Sequence, residues 1–194
     1  MDKLQRCHWC NLKNPLYIAY HDQEWGVPVH DERKLYEMLL LESFQAGLSW
    51  ECILNKREAF REAFDGFDYQ EIALYDKTKV EKLRLNPHII RNQQKINAAI
   101  TNAQVFMKIQ KEYGSFDTYI WRFTDGQTIH ENNRTSSPLS DTIATDLHHR
   151  GIRFMGTTLV YSYLQAIGII YAHEEGCWLS IPVIPECPSS LSAK

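Results

Sequence analysis

The chain has 194 residues, 44% hydrophobic and 23% charged, with a formal net charge of −3. These are globular proportions that supply a sizeable core without staples, and five cysteines are too sparse and odd a set for a disulfide framework. No apolar run approaches the roughly 20 residues of a membrane span, and the opening "MDKLQRCHWC" lacks a secretory-type apolar stretch, which predicts a cytoplasmic protein.

In chain order, residues 6–28, "RCHWCNLKNPLYIAYHDQEWGVP", combine a C-x-x-C with two histidines, two tryptophans and two tyrosines. The stretch "DERKLYEMLLLESFQA" predicts a helix with Asp31 as N-cap, ending near Gly47. A second helix is predicted from Ser49 to Gly66, followed by short helices over 69–75 and 78–85. A long helix lies within 89–113, and others over 115–123, 140–150 and 157–172. Between them, 124–141 reads as the only long loop, and "PECPSSLSAK" as a frayed tail. Hardly any segment alternates apolar and polar residues. The fold class is mainly α.

Charge is unevenly spread. From Lys77 to Lys95 six basic residues face one acid, Glu81, so this segment carries +5 and the remainder −8. Such a patch suits local phosphate contact, or is a solvated helix face.

In the helix after Asp31, Leu35, Met38, Leu39 and Ala46 share one stripe, and Glu42 falls on it. A carboxylate aimed inward needs a partner. That partner is a buried arginine or backbone amide, or else Glu42 is the polar contact of a ligand pocket. Trp50, just beyond the next connection, offers a flat face near where Glu42 points, or is a core tryptophan. Together they suit a planar, hydrogen-bonding, cationic ligand such as a nucleobase.

The N-terminal donors Cys7, His8, Cys10 and His21 call for a second pair to complete a tetrahedral zinc site. "HEEGC", residues 173–177, offers His173 and Cys177. Spacing alone favours Cys7 with Cys10 and leaves Cys7 with His21 open. Cys52 and Cys187 have no companions. The combination of H-x-E with P-C-x-x-C, and H-E-x-x-H, are both absent, which disfavours a catalytic zinc.

The motifs "PLYIAYHDQEWGVP", "LESFQAGLSW", "IIRNQQKI", "GIRFMGTT" and "HEEGC" occur in this order across residues 6–177 and resemble those of the 3-methyladenine DNA glycosylase I family. The resemblance implies a helix-hairpin-helix DNA glycosylase that flips and excises 3-methyladenine from alkylated double-stranded DNA, as a monomer needing no membrane or protein partner. The alternative is a non-catalytic, zinc-containing helix-hairpin-helix nucleic-acid binder. It further implies one structural zinc on Cys7, His21, His173 and Cys177. It implies Glu42 and Tyr20 as the catalytic base-contacting pair, with Trp50, Trp9 and Tyr17 as base-binding rings. Leu48 is implied as a wedge, and Arg91 and Lys95 as DNA contacts on a hairpin over about 78–103. That hairpin departs from the glycine-bearing form, since Asn86, Pro87 and His88 occupy its turn. The chain would form one unit of two lobes: about 31–125, and about 1–30 with 126–180 carrying the zinc, followed by a tail at 181–194.

Overall fold

The computed structural model describes residues 4–180; the expected tail and Cys187 lie outside them. Ten α-helices and one short strand pair are described, and α2 (Glu32–Gln45) is the element around which the others gather. The Asp31 side chain caps it by accepting from the Lys34 amide at 2.8 Å, as the sequence predicts. Every residue from Leu35 to Phe44 is buried, so α2 is covered on all sides rather than along one stripe. α7 (Gln93–Tyr113) lies on one side, where the Tyr36 hydroxyl donates to the Ala99 carbonyl at 2.8 Å. On another, α10 (Thr157–Ala166) places the Tyr163 hydroxyl 3.1 Å from the Leu35 carbonyl, which accepts.

The helix expected from Ser49 to Gly66 is two helices, α3 (Trp50–Leu54) and α4 (Arg57–Ala63). At the break, Asn55 accepts from Asn14 at 2.9 Å and the Lys56 ammonium donates to the His88 carbonyl at 3.2 Å. Tertiary partners thus outweigh continued helix there. α5 (Tyr69–Ile72) and α6 (Lys77–Leu85) follow, and beyond α7 come α8 (Phe116–Trp121) and α9 (Pro138–Arg150). The sequence pattern did not reveal α1 (Pro15–Gln23), which carries no apolar stripe; Asn14 caps it.

The last predicted helix is cut short at Ala166. Gly168 follows at φ +77°, and a Cβ there would lie 2.4 Å from the backbone of Val27 and Pro28. The N-terminal segment is pinned against this point: the Gly26 amide donates to the Gln165 carbonyl and the Val29 amide to that of Ile167, both at 3.0 Å. From Gly168 the chain enters β2 (Ile170–Tyr171), paired in parallel with β1 (Ile129–His130). Two residues per strand are too few to show alternation in sequence.

α6 and α7 form the expected hairpin. None of residues 86–92 has positive φ, and the Asn86 side chain accepts from the His88 amide at 2.9 Å. The turn therefore has no position that requires glycine. Arg91 is exposed at its end. Lys95 is not available there: its buried ammonium donates to the carbonyls of Phe44 at 2.9 Å and Ala46 at 2.6 Å, capping the C-terminus of α2. This corrects the expectation of a phosphate-facing Lys95.

Charged hydrogen bonds of this kind contribute roughly 2 kcal/mol in total, so Lys95→Met is expected to lower Tm by about 4–8 °C in a chain of this size. Arg91→Ala is expected to leave Tm unchanged within about 1 °C; thermal melts followed by circular dichroism check both.

Candidate functional site

Cys7, on the loop before α1, and His21, on α1, meet His173 and Cys177 from beyond β2. All four are buried, with donor atoms within 4.8 Å of one another. Sulfur–metal bonds of about 2.3 Å and nitrogen–metal bonds of about 2.0–2.1 Å at tetrahedral angles separate sulfur from nitrogen by about 3.6 Å. The observed separations are 3.6 Å for Cys7 Sγ to His173 Nδ1, 3.5 Å for Cys177 Sγ to His21 Nε2, and 3.6 Å for Cys177 Sγ to His173 Nδ1. The donor set therefore fits a tetrahedral zinc.

The far nitrogen of each imidazole faces an acceptor. His21 Nδ1 donates to Asp22 at 2.7 Å, and His173 Nε2 to the Trp25 carbonyl at 3.3 Å, so the inward nitrogen of each ring presents its lone pair to the cluster. Asp22 is held in turn by a bidentate contact from Arg6, which with His21 and Trp178 lowers its carboxyl to about 2. Burial pushes the Cys7 thiol up to about 12 and His173 down to about 4. A divalent cation reverses the first of these and suits the second. Cys10 and His8 lie outside the cluster. Cys10 donates to the Tyr17 carbonyl, and His8 pairs with Glu174.

Beside this cluster is a cavity of about 460 Å³. α1 brings Tyr17 and Tyr20 to it, the preceding loop brings Trp9, α2 brings Glu42 and Gln45, and α3 brings Trp50. The Tyr20 and Trp50 rings lie 5.2 Å apart, and Trp9 packs edge-on against Trp25 at 4.7 Å. Trp50 is oriented through α3, whose Glu51 accepts from Asn11 at 2.7 Å and Asn14 at 2.9 Å.

Three buried polar atoms on this wall have no hydrogen-bond partner among the described residues: Glu42 Oε2, Gln45 Oε1 and Trp50 Nε1. Such groups are rare and costly unless a ligand completes them. A buried arginine does exist nearby, but it is occupied. Arg57 reaches Glu37 at 2.7 Å and Glu24 at 2.9 Å. Glu37 is a second inward acid of α2 that the stripe did not reveal, and it is fully countered. Glu42 is not, and burial alone holds its carboxyl well above the usual carboxylate range. The Tyr20 hydroxyl is raised as well, by burial first and then by Glu42.

Leu48, in the connection between α2 and α3, is 40% exposed. Trp25, Gln45, Arg134, Ser162 and Gln165 also line the cavity and were not anticipated. Gln45 was within reach of helical spacing, three residues past Glu42.

The sequence profile of the methyladenine glycosylase family matches residues 9–180. The chain belongs to the methyladenine glycosylase family. DNA-3-methyladenine glycosylase 1 of Escherichia coli (strain K12) is 41% identical over 180 residues, covering 90% of this chain and 96% of that protein. A crystal structure of 3-methyladenine DNA glycosylase I is 45% identical with a TM-score of 0.86, covering 90% of this chain and 99% of the other. The Staphylococcus aureus 3-methyladenine DNA glycosylase I, in a structure addressing 3-methyladenine recognition, is 34% identical with a TM-score of 0.82 over 85% of this chain and 91% of its own. This methyladenine glycosylase thus has a helix-hairpin-helix fold with a Cys₂His₂ cluster joining its N- and C-terminal segments.

Metal analysis is expected to find one zinc per chain in wild type and in Cys10→Ala, and little in Cys177→Ser, whose Tm falls by roughly 10 °C or more. A separate expectation concerns pH. An unfolded-chain glutamate titrates near about 4.3 and folded Glu42 well above that. The folded state therefore holds the extra proton, and wild type loses stability as pH rises through the folded value. Glu42→Gln does not titrate, so its Tm relative to wild type is expected to be higher at pH 8 than at pH 5, as parallel thermal melts would show.

Proposed function

We propose that the cavity receives a 3-methyladenine extruded from alkylated double-stranded DNA, and that the protein hydrolyses its N-glycosidic bond. It is a base-excision repair glycosylase. The observation that carries this reading is the Glu42 carboxyl, buried among aromatic rings with no counter-cation among the described residues.

Methylation at N3 places a positive charge on the purine of a nucleotide. When the bond to the sugar breaks, its electron pair goes to the base, which leaves neutral. Water adds to the sugar carbon and gives up a proton, so no strong general acid is needed on the leaving side. Glu42 and Tyr20 bond the base edge, Trp50 stacks on its face, and Trp9 and Tyr17 close the sides. A cationic ring is favoured over unmodified adenine because only it returns charge to the carboxylate. Extrusion costs a few kcal/mol, less for a damaged, poorly stacked base. Leu48 enters the vacated gap as a wedge. Arg91 and the hairpin amides meet phosphate.

A single zinc held by Cys7, His21, His173 and Cys177 would crosslink the N-terminal loop to the segment after β2, with four protein donors filling its tetrahedron. The residues around it fix the ring positions: Trp9 follows Cys7 by two, and Tyr20 precedes His21. The protein acts as a monomer.

Chromatography of bases released from methylated DNA tests the proposal. Wild type is expected to release 3-methyladenine, and Glu42→Gln to do so roughly a hundredfold more slowly or worse while retaining zinc and DNA binding. Full-rate release by the variant would remove Glu42 from the mechanism. A non-catalytic binder would retard DNA in a gel and liberate no base.

A further inference from the structure

Among the described residues the cavity rim carries one guanidinium, that of Arg134, on the loop between β1 and α9. The loop is held at both ends. The Glu131 amide donates to the Tyr171 carbonyl at 3.2 Å, and Ser137 and Ser140 form a reciprocal cap at the start of α9. Between these anchors Asn133 takes a left-handed turn at φ 57°, and Arg134 follows it, exposed. Among the described residues Arg134 makes no hydrogen bond or ion pair. Glu131, three residues earlier, does not reach it.

We infer that Arg134 is a positioning residue that holds a phosphate next to the extruded nucleotide at the cavity rim. This rests on the glycosylase reading. A base seated against Glu42 leaves its sugar at the mouth and the flanking phosphates outside, each with one negative charge. The mouth is otherwise acidic: Glu174 lines it, and the other basic side chain there, His8, is already paired with that carboxylate. Lys95, the cation expected to serve phosphate, is buried under α2. An unpartnered guanidinium offers the fork geometry that phosphate oxygens accept. The contact is made only once the nucleotide has left the stack, so it favours the flipped state over the duplex.

The test measures base release from methylated duplex DNA and DNA affinity across a range of NaCl, with binding of free 3-methyladenine followed by tryptophan fluorescence. Arg134→Ala is expected to raise KM about tenfold and to reduce the slope of log affinity against log salt by about 1. Free-base binding and Tm should stay at wild-type values, and Arg134→Lys should recover most of the salt slope. An unchanged slope in Arg134→Ala, no recovery with lysine, or an equal loss of free-base binding would each overturn the role of Arg134. Wild-type protein that releases no base would overturn the glycosylase reading beneath it.

Discussion

A carboxyl group enclosed by hydrocarbon and ring faces, with no cation beside it among the described residues, is the constraint on which the rest of this molecule turns. Folding burial around Glu42 is unfavourable in isolation. The fold sustains it by making α2 the best-covered helix, sealed by Tyr36 against α7 and Tyr163 against α10. The neighbouring arginine is kept away by two other acids, Glu24 and Glu37. The protein therefore holds a vacant electrostatic position that an incoming cation can fill. In the proposed function, recognition by charge follows from where the counter-ions are not.

Around that position the aromatic walls are placed by two different means. Trp50 is carried by α3, whose orientation depends on the hydrogen bonds from Asn11 and Asn14 to Glu51. Tyr20 and Trp9 stand on or just before a helix that carries no apolar stripe of its own. Their places follow from the close backbone approach at Gly168 and from the Cys₂His₂ cluster. Two residues of the Cys₂His₂ cluster and the rings share one stretch of chain, so the cluster locates the rings.

Much of this was legible. Asp31, Gly114 and Gly151 mark helix ends that the structure reproduces, since capping depends on the local residue type. Glu42 stood out because a charge on an apolar stripe breaks a periodic rule. The pairing of Cys7 with His21, by contrast, came from family resemblance, and the geometry agrees with it. Helix α1 was invisible because its buried face is made of Tyr20 and His21, which no hydropathy pattern registers. Lys95 looked like one more member of a basic run; only the fold shows the α2 carbonyls waiting for it. Glu37 was hidden because its two arginine partners, Arg57 and Arg61, lie on α4. Arg134 sits in a polar loop without periodicity, where proximity to the cavity is a purely tertiary fact.

The Cys₂His₂ cluster also bears on when the protein becomes competent. Cys7 and His173 lie 166 residues apart, and Glu174 contributes to the same rim. Contacts at such separation close a loop that takes in most of the chain and form after local helices have set. During synthesis, α2 and its neighbours can assemble while the residues that complete the cluster are still on the ribosome. Nascent chains thus hold a helical core with an unfinished receptacle, and damaged DNA meets a working enzyme only after translation has run past Cys177.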